Sequence, residues 1–326
     1  MNTITEYQQQ IEQALKSKKY GSNPKELYEP IEYMISLGGK RLRPVLVFSG
    51  CDFFGGDTSK AIFPALAIEL FHNFTLVHDD IMDKAPLRRN QSTVHKKWDT
   101  NIAILSGDAM LVKAYQELCK CDKEILPQLL DIFSDTAVKV CEGQQLDMNF
   151  EKLHKVSIPQ YLKMIELKTA VLLGGSLKIG ALIAGAKEKD AQNLYDFGKH
   201  IGLVFQLQDD ILDVYADSEK FGKQHGGDIV ANKKTFLLLK ALEMAEGNRY
   251  MKEELNQWVN APQFDANEKT EAITTIYNFL NIAELTRLEM KKQYNLALKF
   301  LNEIPVNDLK KQQLIAFADS LMVREV

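Results

Sequence analysis

Two short acidic clusters share one spacing: Asp79-Asp80-Ile81-Met82-Asp83 and Asp209-Asp210-Ile211-Leu212-Asp213. Both read D-D-x-x-D, and both lie inside apolar, helix-like sequence. On a helix the first and last Asp of each cluster fall at i and i+4, on one face about one turn apart. Like charges at that spacing repel, so helix stability does not explain them. A divalent cation would remove the penalty. Oxygen ligands without His or Cys suit a hard ion such as Mg²⁺, usually held together with substrate phosphates. The flanks ELFHNFTLV and VFQLQ are too apolar for a solvated acidic face, and buried charges must be paired or metal-bound. The clusters lie 130 positions apart and could face each other across one cavity. The chemistry to expect is several Mg²⁺ ions clamping a diphosphate.

Basic residues that could meet such a diphosphate recur along the chain. Gly38-Gly39-Lys40-Arg41-Leu42-Arg43-Pro44 combines backbone that can approach an anion, a lysine point charge and an arginine fork. Taken alone, it reads equally as a helix C-cap followed by a solvated basic turn. Arg88 and Arg89 follow the first cluster; taken alone, they read as surface charges. Lys168-Thr169 precedes the small, apolar stretch AVLLGGSLKIGALIAGA, and Lys223 and Lys233 flank Gly226-Gly227-Asp228 after the second cluster. His72 falls close to the Asp79 face on a helical wheel, and His78 adjoins Asp79. Each is read as a hydrogen-bonded core or supporting residue before it is read as a ligand.

The elements that must position these groups are helices. Helical periodicity runs through ALAIELFHNFTLVHDDIMD, TNIAILSGDAMLVKAYQELCK, LPQLLDIFSDTAVKVCEGQQLDMNF, LYDFGKHIGLVFQLQDDILDVY and KTFLLLKALEMAE. Most of the nine Pro sit where a helix would begin or end, including Pro44, Pro64, Pro86, Pro127, Pro159 and Pro305. Few strands are expected. No linker divides residues 1–326, so one all-α domain is expected. At 45% hydrophobic and 26% charged, the 326 residues can build a large core. A net charge of −4 argues against a nucleic-acid binder. Cys51, Cys119, Cys121 and Cys141 lack metal or disulfide spacing and read as small buried residues in a reducing compartment. No signal-peptide h-region and no unbroken apolar run of membrane-spanning length is evident, so a cytoplasmic protein acting on small molecules is expected.

Taken in order, these motifs resemble those of the trans-isoprenyl diphosphate synthases, the short-chain polyprenyl synthetases. The matches are GGKRLRP at 38–44, DDIMD at 79–83, LRR at 87–89, GD at 107–108, KTA at 168–170 and FQLQDDILD at 205–213. GK at 222–223, GGD at 226–228 and KKT at 233–235 complete the series, which covers about residues 30–240. The resemblance implies a bundle of mostly antiparallel helices around a deep central cavity, and a homodimer. It implies about three Mg²⁺ ions, with Mn²⁺ able to substitute. Asp79, Asp83 and Asp209 would ligate the metal that bridges an allylic diphosphate, with Asp80, Asp210 and Asp213 acting through water or behind the ligands. Arg88, Lys168, Lys223 and Lys233 would neutralise that diphosphate. Lys40, Arg43, His72 and Arg89 would hold isopentenyl diphosphate, and Thr169 and Gln206 would line the reaction centre.

The resemblance also places the floor of the product cavity at Phe74 and Thr75. Phe74 argues for a short product, and the lack of a second aromatic at Thr75 leans towards C20 geranylgeranyl diphosphate over C15 farnesyl diphosphate. An ideal wheel puts Thr75 about 40° from Asp79, Phe71 about 80° and Phe74 about 140°, so Phe71 is a candidate equally. Ordinary core packing is the plain alternative for all three. Two positions depart from the family pattern: Asn90 after the Arg pair and Asp99 after Trp98, where Gly is common. Two other readings compete. A non-catalytic subunit of a hetero-oligomer tends to lose an acidic motif, and both are intact here. An H-D metal phosphohydrolase built on His78 and Asp79 leaves the second cluster unexplained.

Overall fold

The computed structural model describes residues 4–216 and 226–322, and Lys223 lies outside them. The described chain is all-α apart from one tiny hairpin. In order the helices are α1 (Ile4–Ser17), α2 (Lys25–Ser36), α3 (Leu42–Phe53), α4 (Ile62–Met82), α5 (Val94–Lys97) and α6 (Thr100–Leu118). Then come α7 (Leu126–Lys152), α8 (Ile158–Ile165), α9 (Val171–Ile183) and α10 (Glu188–Tyr215). After the segment outside the description follow α11 (Gly227–Val230), α12 (Phe236–Ala245), α13 (Arg249–Asn260), α14 (Ala266–Phe279), α15 (Ile282–Asn302) and α16 (Asp308–Met322). Each segment with strong helical periodicity is thus a helix. Polar residues start several of them. Asp99 accepts from the Ile102 amide to begin α6, and Ser157 forms a capping box with Gln160 ahead of α8. The departure at Asp99 is therefore a helix cap.

The chain resolves into two compact units. The first comprises residues 1–138, 172–198 and 300–311, and the second 139–171, 199–299 and 312–326. In the first, α4 is the central helix, packed against α3 and α6. Ala65, Leu66, Ile68, Leu70 and Phe71 on it are all at most 2% exposed. With the short 3-10 turn before it, the helical stretch Thr58–Met82 is long and apolar enough to cross a bilayer, but 67% of its 18-residue apolar window is buried inside the protein. In the second unit, Leu203, Leu207 and Ile211 of α10 form a core with Phe236 and Leu237 of α12 and Ile273, Ile276 and Tyr277 of α14. Each fully buried side chain of this size contributes about 1.5–3 kcal/mol. The cysteines correct one expectation. Cys51 is buried, but Cys119 and Cys141 are exposed, and all four are free thiols.

Candidate active site

In the first unit, α4 ends within the first acidic cluster, and Asp83 is its C-cap residue. Asp80 is 2% exposed. It is gripped by Arg88, whose Nε lies 2.9 and 2.8 Å from the two carboxylate oxygens and whose Nη2 lies 2.7 Å from Oδ1. Burial pushes the Asp80 carboxyl up, and the Arg88 charge opposes it. The same guanidinium reaches Asp79 at 3.6 Å. Asp79 is half-buried and Asp83 exposed, so the first and last carboxylates of the cluster remain accessible.

Arg88 and Arg89 are aimed differently by the hairpin. Leu87–Arg88 pairs antiparallel with Gln91–Ser92, in the register Arg88 opposite Gln91. Arg89 and Asn90 form the two-residue turn with φ of 52° and 60°, the conformation a tight primed turn requires. Asn tolerates the left-handed region better than most residues, which is why Asn90 can stand where Gly is common. Arg88, in the strand, meets the acidic cluster. Arg89, in the turn, donates through Nη1 to the Gly38 carbonyl. Gly39 has φ 133°, and a Cβ there would stand 2.8 Å from Arg89 Nη2. Only a glycine accommodates both demands.

Arg43 Nη1 lies 3.1 Å from His72 Nε2. A guanidinium can only donate, so this nitrogen accepts and the imidazole is neutral. Burial and the neighbouring charges of Arg43, Arg89 and Arg88 hold His72 well below the usual histidine range. Lys40 is exposed and Arg43 half-buried. Thus Lys40, Arg43, His72 and Arg89 gather around one turn. Arg41, between the first two, points the other way and is 4% exposed. Below His72 on α4, Phe71 packs on Phe74 and Phe133, with ring centroids 5.7 and 5.5 Å apart. Phe74 also meets His78 at 4.7 Å. Thr75 donates to the His72 carbonyl at 2.8 Å.

In the second unit, the second cluster repeats the pattern of the first. Asp210 is 4% exposed, whereas Asp209 and Asp213 are half-buried. Tyr161 of α8 donates its hydroxyl to Asp210, and Gln206 Nε2 lies 3.3 Å from the same carboxylate. Burial, together with the charge of Asp228, pushes the Asp210 carboxyl up to about 7. Asp213 accepts from the Asp228 amide at 2.9 Å, so the start of α11 is tied to the second cluster. Lys233 Nζ stands 3.9 Å from the Asp228 carboxylate.

Lys168 and Thr169 lie on a π-helical turn, Glu166–Ala170, inserted between α8 and α9. Such turns are rare and cluster at functional sites. Lys168 Nζ lies 2.6 Å from Asp147 of α7, and Thr169 Oγ1 donates to Gln206 Oε1 at 3.2 Å. Gln206 therefore connects the π-turn to Asp210. Sequence reasoning missed Arg41, Asp147 and Tyr161, and gave Asp228 no role of its own. Arg41, inside GGKRLRP, and Asp228, inside a Gly-Gly-Asp motif, carried a local signal.

Among the described residues, no three His, Cys, Asp or Glu side chains form a preset metal cage. The donors nevertheless fit a hard cation: they are all carboxylates, accessible at i and i+4, with cationic side chains beside them to meet a phosphate. Mg²⁺ is commonly held in this way, by one or two carboxylates plus substrate oxygens.

The family model described as Polyprenyl synthetase matches residues 24–277. A geranylgeranyl diphosphate synthase of Methanosarcina mazei is 42% identical over 224 residues, 68% of this chain and 69% of the relative. A crystal structure of a geranylgeranyl pyrophosphate synthase superposes with a TM-score of 0.94 at 44% identity, covering 100% of both chains. A polyprenyl synthase from Caulobacter crescentus CB15, solved with calcium and isoprenyl diphosphate, superposes with a TM-score of 0.88 at 26% identity, covering 99% of this chain and 96% of that one.

Proposed function

The chain belongs to the polyprenyl synthetase family and is a prenyltransferase; on that premise we propose that it extends allylic diphosphates with isopentenyl diphosphate and stops at C20, geranylgeranyl diphosphate. One observation carries the reading. In both acidic clusters the second Asp is buried and held by a neighbouring side chain, while the first and last remain accessible on one helix face. In each cluster, one carboxylate held in place beside two that reach solvent is what a cation–diphosphate complex needs. The calcium and isoprenyl diphosphate bound by the Caulobacter relative support an oxygen-ligated divalent ion.

Asp79, Asp83 and Asp209 would hold Mg²⁺, with Asp80, Asp210 and Asp213 orienting them. When bound, the metal supplies positive charge to the diphosphate as it departs. Arg88, Lys168, Lys233 and, outside the described residues, Lys223 neutralise the same diphosphate. Lys40, Arg43, His72 and Arg89 bind the diphosphate of isopentenyl diphosphate. The allylic C–O bond breaks, both electrons leave with the diphosphate, and the isopentenyl double bond attacks the allylic cation. A proton is then lost, with released diphosphate as the base, since these motifs offer no protein base. Apolar helices exclude water that would quench the cation. Phe71, Phe74 and Thr75 limit the product. The enzyme works as a homodimer. Exposed Leu105 and Val112 on α6 and Val138 on α7, each 57–59% accessible, favour that assembly.

The test is product analysis of purified protein with Mg²⁺, isopentenyl diphosphate and, separately, C5, C10 and C15 allylic diphosphates. Accumulation of C20 is expected. Asp79→Ala and Asp209→Ala should lower turnover by orders of magnitude with the helical circular dichroism unchanged. Near-normal turnover in either variant would refute the clamp.

A further inference from the structure

The turn that carries Lys40 and leads into Arg43 at the start of α3 is fixed from within by Arg41. This residue has φ 48°, a left-handed conformation that is unfavourable for a side chain with a Cβ. The backbone stays there because the guanidinium is held on all sides. Nε lies 2.6 Å from Glu12 Oε1, Nη1 lies 2.5 Å from Glu69 Oε1, and Nη2 donates to the Ile35 carbonyl at 2.8 Å. Glu69 is 2% exposed, and its Oε1 also accepts from Asn73 Nδ2 at 2.8 Å. Asn73 adjoins His72, the partner of Arg43. The network thus runs from α1 to α4 through the middle of the turn.

A second contact comes from the same helix. Gln8 Nε2 donates to the carbonyl of Lys40 at 2.8 Å. Helix α1 is itself locked to α3: Tyr7 donates to Asp52 at 2.8 Å and stacks on Phe48 at 5.2 Å. Yet α1 lies wholly outside residues 24–277, the span that matches the family model. None of the matched motifs therefore includes a residue of α1.

We propose that α1 is a functional part of the isopentenyl diphosphate subsite, with Glu12 and Gln8 as positioning residues that act through Arg41 and the Lys40 backbone. The inference rests on the assignment of Lys40, Arg43, His72 and Arg89 to that substrate. A buried three-way guanidinium forces Arg41 inward, and the reversal at Arg41 leaves Lys40 and Arg43 facing the substrate. Loss of the Glu12 arm frees one corner of the fork and lets the turn drift. The bound substrate must then restore it, and the effect falls on isopentenyl diphosphate alone.

The experiment compares Glu12→Gln, Gln8→Ala and Lys40→Ala in the full-length enzyme with Mg²⁺. KM is measured for isopentenyl diphosphate and for geranyl diphosphate, together with kcat and the melting temperature. Glu12→Gln keeps the side-chain shape, and Glu69 remains to balance Arg41, so the fold is retained. The expected result is a KM for isopentenyl diphosphate raised about tenfold in Glu12→Gln, which keeps an acceptor for Arg41 Nε but removes its charge, and several-fold in Gln8→Ala, which removes one neutral hydrogen bond. KM for geranyl diphosphate and kcat should stay within about twofold. Arg41→Lys should be no milder than Glu12→Gln, because an ammonium cannot bridge three acceptors in a plane. If Lys40→Ala raises the isopentenyl KM but Glu12→Gln and Gln8→Ala do not, or change both KM values alike, α1 is only a structural support and the inference fails. If Lys40→Ala itself leaves the isopentenyl KM unchanged, the assignment of the subsite fails, and the inference with it.

Discussion

Replacing Gly143 with Ala tests how Lys168 is held. Gly143 lies on α7 where it crosses the π-turn, and a Cβ there would stand 2.2 Å from the Lys168 nitrogen, 2.6 Å from its Cα and 2.7 Å from the Leu167 carbonyl carbon. Ordinary contact begins near 3.4 Å, so the two backbones must part by roughly 1 Å. All three neighbours are backbone atoms, and no side chain can swing aside. Asp147 is one turn further along α7, on the same face, and holds Lys168 Nζ at 2.6 Å. Separation therefore pulls the lysine off its line and stretches the Thr169–Gln206 hydrogen bond, already 3.2 Å long. Overpacking of this kind costs about 1–3 kcal/mol, which corresponds to a melting temperature lower by a few degrees. A catalytic group misplaced by about 1 Å loses on the order of 10²-fold in rate. The assay is kcat/KM from diphosphate release, with melting followed by circular dichroism. Gly247→Ala is the control, since a Cβ there meets nothing within 4 Å. Should Gly143→Ala retain kcat/KM within about twofold of wild type, close backbone packing does not set the lysine and the reasoning is wrong.

Tyr161→Phe removes the buried donor to Asp210 and should destabilise the protein by about 1–3 kcal/mol, read as a lower urea midpoint, while turnover falls. An unchanged midpoint would mean that Asp210 finds another donor. Phe74→Ala opens space beside Phe71 and His78 and should lengthen the product by one or more C5 units, seen by mass spectrometry. An unaltered product distribution would remove Phe74 from the cavity floor. Chelation by EDTA should abolish turnover and Mg²⁺ should restore it; turnover that persists in EDTA contradicts the oxygen-ligated cation.

Much of this architecture is legible in the primary structure because its signals are long or repeated. α4, α6, α7 and α10 each span 19 residues or more, enough for apolar periodicity to dominate local noise. The acidic clusters are visible because identical spacing recurs. The hairpin is hidden, since strands of two residues are too short to show alternation. The π-turn is hidden for another reason: nothing in Glu-Leu-Lys-Thr-Ala encodes a shifted hydrogen-bond ladder, and the close approach of Gly143 on the preceding long helix exists only in three dimensions. Arg41 shows the limit most directly. Between Lys40 and Arg43 it reads as one more surface cation, and only its left-handed backbone and the acids of α1 and α4 turn it inward. Asp147 and Tyr161 are defined by partners 21 and 49 positions away, beyond the reach of any local pattern.

The hairpin at Leu87–Ser92 also limits how this gene can change. Surface loops generally accept insertions and deletions. Here Arg88 and Arg89 are neighbours in the chain but serve different targets, Asp80 and the Gly38 carbonyl, because one sits in a strand and the other in a two-residue turn. One added codon between Leu87 and Ser92 would shift the register and send the wrong arginine to each target, with every side chain still present. Substitutions at Asn90 can be tolerated where the new residue accepts a positive φ, and Gly meets that condition best. Length cannot be traded in the same way. This loop should therefore drift in composition across descendants of the sequence while keeping its residue count.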